Sequence, residues 1–278
     1  MAVEGKQVTA EVDSLPIARG NHGQLVDIRA HNEAERAGLP HTYGKWMHIN
    51  CVIDPRDDIF RFFAGHESAS NPFREYLSDG WRTLSELMVI LESVERPLLK
   101  AESVLEFASG FGRFTRHLVR AIPGRVTCSD VLPGSLEFLQ QEFGVRTIPS
   151  SHEPNEFAAP EPFELVCVLS LFTHLPPSMW VPWLRALGRA VKPGGVLVFS
   201  VCNEQAGVDA GLAFDEEGTH FIRSSESPTL DAESYGTTYT TRDFVERKVR
   251  QAFGEIPIHY ATKGFWGGQD GLAIAFAP

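Results

Sequence analysis

Val104-Leu105-Glu106-Phe107-Ala108-Ser109-Gly110-Phe111-Gly112-Arg113 is the stretch that decides how the rest of the chain is read. Strand-forming residues run into small residues and two glycines, and Thr115-Arg116-His117-Leu118-Val119 continues as an amphipathic helix. A strand, a glycine-rich turn and a helix form a nucleoside-binding unit, because missing side chains let the backbone approach a ligand closely. A dinucleotide fingerprint needs a third glycine three residues past the second, where the helix bears on the strand beneath a pyrophosphate. Thr115 occupies that place. Glu106 is also unfavourable beside a pyrophosphate, whereas it suits a ligand carrying an ammonium group and a sulfonium. Both points disfavour a nicotinamide oxidoreductase.

Downstream, Val126-Thr127-Cys128-Ser129-Asp130 ends in a carboxylate 18 residues after Gly112. An acid at the tip of the second strand can accept both ribose hydroxyl protons, and the spacing is close to the roughly 20 residues such a pair requires. Short apolar runs then alternate with amphipathic stretches, the pattern of βαβ units and a parallel sheet. Strands are predicted at Ser103–Phe107, Arg125–Ser129, Val145–Ile148, Leu165–Leu169 and Val196–Val201. A helix over Arg242–Phe253 leads to two more, near Ile256–Ala261 and Leu272–Phe276. The expected architecture is α/β: a Rossmann-like, doubly wound sheet of seven strands, mostly parallel with an antiparallel C-terminal strand.

With strand, glycine loop, helix, strand and acid in this order, the chain resembles the class I S-adenosylmethionine-dependent methyltransferases. Their first motif reads roughly acid-x-Gly-x-Gly-x-Gly. Ala108 departs from it at the first glycine position, a small residue that the turn can tolerate. Phe172-Thr173-His174-Leu175-Pro176-Pro177-Ser178-Met179-Trp180 through Lys192-Pro193-Gly194-Gly195 closely resembles the segment between the family's fourth and fifth strands. Within it, Trp180, Trp183, Leu184 and Leu187 form one helical stripe over Ser178–Val191, read as core packing. The resemblance implies S-adenosyl-L-methionine as cofactor. It implies Glu106, Ala108, Ser109, Gly110 and Gly112 around the cofactor, with Asp130 and Val131 at the ribose, Ser151 and His152 beside the adenine, and Leu169 at the end of the fourth strand. Tyr235-Gly236-Thr237-Thr238-Tyr239 and Trp266-Gly267-Gly268-Gln269-Asp270 are similar to segments of bacterial small-molecule or sugar methyltransferases, although hairpin turns explain their glycines equally well.

His174 follows the fourth strand, and ligands of open α/β sheets bind beyond the strands' carboxyl ends. It is the expected catalytic residue, a general base for an acceptor hydroxyl or else a histidine that fixes its loop. Tyr235, Tyr239 and His220 are reserve candidates. The function expected is O-methylation of a small molecule or sugar. N-methylation and a catalytically inactive adenosylmethionine-binding protein are the alternatives.

Residues 1–98 are expected to form an irregular and helical cap, and 99–278 the catalytic domain. The cap holds a short helix near Asn32–Ala37, helical residues after Asp57, and a longer helix over Phe73–Arg96 that places Leu77, Trp81, Leu84, Leu87, Met88 and Leu91 on one stripe. Between Cys202 and Thr241 regularity disappears, so 202–240 is expected to be a lid-like insertion. Of the 278 residues 43% are hydrophobic and 22% charged, ordinary values for a packed fold. A formal charge of −11 would repel a polyanion, so no nucleic-acid partner is expected. The N-terminus has no basic start followed by an apolar run, and no stretch approaches 18 apolar residues, so a cytoplasmic protein without membrane association is expected. Cys51, Cys128, Cys167 and Cys202 lie far apart, without the close Cys/His spacing of zinc sites, and are read as reduced thiols with no metal. The oligomeric state is not legible.

Overall fold

A computed structural model of the chain describes residues 44–65, 72–225 and 227–278. The helix expected near Asn32–Ala37 lies outside them. The helical elements that precede the sheet are α1 (Gly44–Met47), α2 (Asp58–Gly65) and α3 (Pro72–Ser93). The glycine-loop unit follows as β1 (Val104–Phe107), α4 (Thr115–Ala121), β2 (Val126–Asp130), α5 (Ser135–Phe143) and β3 (Arg146–Pro149). Next come β4 (Phe163–Val168), α6 (Trp180–Arg189), β5 (Val191–Asn203), α7 (Glu204–Asp209), β6 (Thr219–Ile222) and β7 (Thr237–Thr240). The chain ends with α8 (Arg242–Phe253), β8 (His259–Phe265) and β9 (Gln269–Ala275).

The strands form one sheet in the order β3-β2-β1-β4-β5-β7-β6. The contacts from β3 through β5 to β7 are parallel, whereas β6–β7, β5–β9 and β8–β9 are antiparallel. The sheet has nine strands, two more than the seven expected, and both additions, β6 and β7, lie in the segment read as irregular. At 13 residues β5 is long enough to hold β9 along Val196–Cys202 and still pair with β7 at Cys202–Asn203.

Successive side chains of a strand point to opposite faces, so each parallel strand feeds two cores. Leu105, Phe107, Val166, Val168, Leu197 and Phe199 pack beneath α6 and α8 with Trp180, Trp183 and Phe244. Val104, Cys128, Leu165, Cys167, Val196 and Val198 pack on the other face beneath α3 and α4 with Leu87, Ile90 and Leu118. Trp180 and Trp183 are thus core residues. Trp81 is not: it is 49% exposed, and α3 buries Gly80 and Thr83 instead. A Cβ at Gly80 would strike the Arg113 carbonyl and the His117 ring, so the helix lies directly on the glycine loop. A smaller cluster of Ile53, Phe60, Phe73, Tyr76 and Leu77 joins α2 to α3.

Candidate active site

Strand order reverses between β1 and β4, and at such a switch point the loops leaving the strands' carboxyl ends diverge to open a crevice. A cavity of about 690 Å³ occupies that place. Its floor is the glycine loop after β1. Ala108, Gly110 and Gly112 have φ of +58°, +56° and +83°, the left-handed region that a turn this tight demands. Ala108 adopts that conformation with a Cβ, so the turn keeps the shape for which glycine is the usual residue.

Asp130 closes the far side of the loop. Gly110 N–H donates to its Oδ2 at 2.7 Å and Leu132 N–H to its Oδ1 at 2.8 Å. Each carboxylate oxygen keeps a lone pair for a second donor, so the group can accept from two ligand hydroxyls while its orientation is fixed. Burial nevertheless pushes the Asp130 carboxyl above its usual range, against the opposing effect of these N–H groups. Glu106 is buried in the sheet at the cavity's base, and burial raises its carboxyl to about 8, opposed by hydrogen bonds from Thr115 and Cys128. A cation beside it would return it to the ionised form.

The cavity is lined by Glu106, Ala108, Ser109, Gly110, Asp130 and Val131, and further by Ser151, His152 and Leu169. Gly112 is the exception. A Cβ there would strike Phe143 and Leu139, so its bareness serves the packing of the loop against α5. His174 is not among the residues that line the cavity. Its ring lies behind the wall, 6% exposed, with Nδ1 2.7 Å from the Gly236 carbonyl oxygen. It stacks on Tyr235 with centroids 4.4 Å apart. The turn after β4 carries it inward because the His174 carbonyl accepts from Gly236 N–H at 2.9 Å and the Thr173 carbonyl from Thr238 N–H at 2.7 Å. Tyr235, not His174, lines the cavity. Of the other reserve candidates, Tyr239 sits in β7, and His220 in β6 bonds the Ala213 carbonyl at 2.7 Å.

Several wall residues had no signal in the sequence. Ile59, Phe62 and Phe63 come from α2, and Leu230 from the segment between β6 and β7 that also carries the reserve candidate Tyr235. Ser227 Oγ of that segment donates to Asp58 Oδ2 at 2.6 Å, joining it to α2. Asp57 faces the cavity, with its Oδ2 2.5 Å from the Tyr76 hydroxyl. Periodicity shows that a helix has an apolar face, and says nothing of which distant loop that face will meet.

Residues 104–195 match the family model described as a methyltransferase domain. The chain is similar to SibL, an S-adenosylmethionine-dependent methyltransferase solved in its apo form, at 16% identity and a TM-score of 0.52, with 87% of this chain and 73% of that one covered. It is also similar to an S-adenosylmethionine-dependent methyltransferase from Clostridium acetobutylicum ATCC 824, at 13% identity and a TM-score of 0.49, covering 69% and 91%. A third similar structure is the glycopeptide N-methyltransferase MtfA complexed with (S)-adenosyl-L-homocysteine, at 15% identity and a TM-score of 0.49, covering 69% and 89%. No curated protein sequence matches the chain. Residues 104–195 thus carry a methyltransferase domain, and the Rossmann-like sheet that holds it places the Glu106–Asp130 crevice at its switch point. Among the described residues, no helix is long and apolar enough to cross a membrane.

Proposed function

We propose that the chain is a class I S-adenosyl-L-methionine-dependent methyltransferase that methylates a hydroxyl group of a small molecule or sugar held in the cavity above the glycine loop. The observation that carries this reading is the cavity itself. At about 690 Å³ it lies within the roughly 300–1,000 Å³ of small-molecule sites and is walled by three separate elements beyond the cofactor crevice. The bound cofactor supplies an electrophilic methyl group. Much of the rate then comes from holding the acceptor oxygen in line with it. Asp130, Val131, Ser151 and His152 hold the nucleoside end in this reading, and Glu106 with the loop from Ala108 to Gly110 holds the amino-acid end.

His174 enters in an indirect form, as the residue that positions Tyr235 against the acceptor. The stretch from Ser227 to Tyr235 acts as the lid that excludes water, while α2 and α3 complete the cap, so the catalytic domain and its N-terminal layer share one site. The test is turnover and cofactor affinity measured together in Tyr235→Phe and His174→Ala, with a panel of hydroxylated and aminated acceptors. General-base assistance is worth roughly 10²–10⁴-fold. A fall of at least about tenfold in both variants on a hydroxyl acceptor, with cofactor affinity kept, is the expected result. A fall below about threefold in both, or turnover only on amines, contradicts hydroxyl transfer and favours N-methylation, which needs no such assistance.

A further inference from the structure

Arg113 follows the glycine loop directly and lines the cavity beside Glu106. Its guanidinium is built into place. Nη1 forms an ion pair with Asp79 Oδ2 of α3, and the guanidinium carbon lies 5.1 Å from the centre of the Trp266 ring. Trp266 is fixed in turn, its indole N–H donating to Thr83 Oγ1 at 3.0 Å and its backbone N–H to the Glu86 carboxylate at 3.0 and 3.1 Å. Three elements far apart in sequence thus converge on one cation: α3, the glycine loop and the β8–β9 turn.

That convergence exceeds what a surface ion pair needs. Both partners are largely shielded from water, at 22% and 17% side-chain exposure, and ordering two long side chains there has an entropic cost that a solvated pair would avoid. A guanidinium has five N–H donors, and the ion pair to Asp79 uses Nη1, so further donors remain for a planar anion. S-adenosyl-L-methionine carries one such anion, its α-carboxylate, next to the ammonium assigned above to Glu106. Glu106 and Arg113 both line the cavity, and once an ammonium group ionises Glu106 the two match a zwitterion.

We propose that Arg113 is the counter-ion of the cofactor's α-carboxylate, with Asp79 and Trp266 as the positioning residues that hold its guanidinium over the glycine loop. α3 and the β8–β9 turn, both outside residues 104–195, are then part of the cofactor site. This inference rests on the reading that the crevice holds the cofactor's amino-acid end at Glu106.

The test compares two ligands by calorimetry: S-adenosylhomocysteine, which has the amino-acid end, and 5′-methylthioadenosine, which lacks it. In Arg113→Met the affinity for S-adenosylhomocysteine should fall about 10- to 100-fold, while that for 5′-methylthioadenosine stays within about twofold. Arg113→Lys should recover part of the loss, and Asp79→Asn should lower the ratio of the two affinities by a smaller factor. Thermal unfolding of each variant identifies any that fails to fold, and Arg113→Lys then carries the comparison. Equal losses for both ligands in these variants, or no loss for either, overturn the proposal while leaving the cofactor reading intact. A wild-type protein that binds neither ligand overturns both.

Discussion

Ala108 holds φ at +58°, where a residue with a Cβ is disfavoured by roughly 1–2 kcal/mol. Glycine would remove that strain but has more freedom to lose on folding, about 0.5–1 kcal/mol. Ala108→Gly should therefore raise stability by a net amount of about 0.5 kcal/mol, read from a urea titration, whereas Ala108→Val should lower it. A destabilised glycine variant would contradict the strain assigned to this turn. Glu106 predicts a pH dependence. Its folded value of about 8 lies above the ordinary 4.5, so below about pH 4.5 folded and unfolded chains both hold the proton. From there to about pH 8 the unfolded chain ionises while the folded one does not, and stability falls as pH rises by up to about 1.4 kcal/mol per pH unit. Above pH 8 no further loss is expected from this group. Glu106→Gln should flatten the profile across that window, and an unchanged slope would show that the burden lies on another carboxyl. Ala108 and Glu106 were visible in the sequence as departures from, or agreements with, a glycine-loop pattern. The pairing of Arg113 with Asp79 was not, because it joins residues 34 apart that only the docking of α3 brings together.

At the scale of elements, α3 lies on the glycine loop because Gly80 has no side chain to hold it off. Gly80→Ala should overpack that contact and destabilise the protein by about 1–3 kcal/mol in denaturant titration, despite alanine's better helix propensity. A neutral or stabilising result would mean that the helix can shift without penalty. The segment 202–240 divides into two kinds of structure. α7, β6 and β7 are tied to the end of β5, while Ser227, Leu230, Glu233, Ser234 and Tyr235 line the cavity and Ser227 bonds Asp58 of α2. Hydrogen exchange in the free enzyme should be slow in β7 and fast in 227–235, and the latter should slow when cofactor and acceptor are added. Strong protection of 227–235 in both states would make it a fixed wall. The five parallel strands β1–β5 and α8 were legible because long apolar runs and 3.6-residue periodicity are local signals. Thr-His-Phe-Ile and Thr-Thr-Tyr-Thr were read as irregular, since four-residue strands rich in threonine owe their form to pairing at a distant strand end.

For the molecule as a whole, the order β3-β2-β1-β4-β5 puts the loops after β1, β2 and β4 around one crevice at the switch point of the sheet. That much followed from the spacing of Glu106, Gly110 and Asp130. The inward position of His174 did not, because it depends on hydrogen bonds between the turn after β4 and the start of β7, 62 residues away. The individual cavity residues of α2 and of the segment after β6 were equally hidden, although a cap and a lid-like insertion were expected there. The central claim is that the Glu106–Asp130 crevice is an S-adenosyl-L-methionine site whose ribose end is held by Asp130. The most direct test is calorimetric titration of wild type and Asp130→Ala with S-adenosylhomocysteine and with NAD. Hydrogen bonds to a charged group are worth roughly 1.5–3 kcal/mol, so wild type should bind S-adenosylhomocysteine and no NAD, and Asp130→Ala should lose about tenfold or more in affinity. Affinity unchanged within error in Asp130→Ala, or binding of NAD in place of S-adenosylhomocysteine, would contradict it.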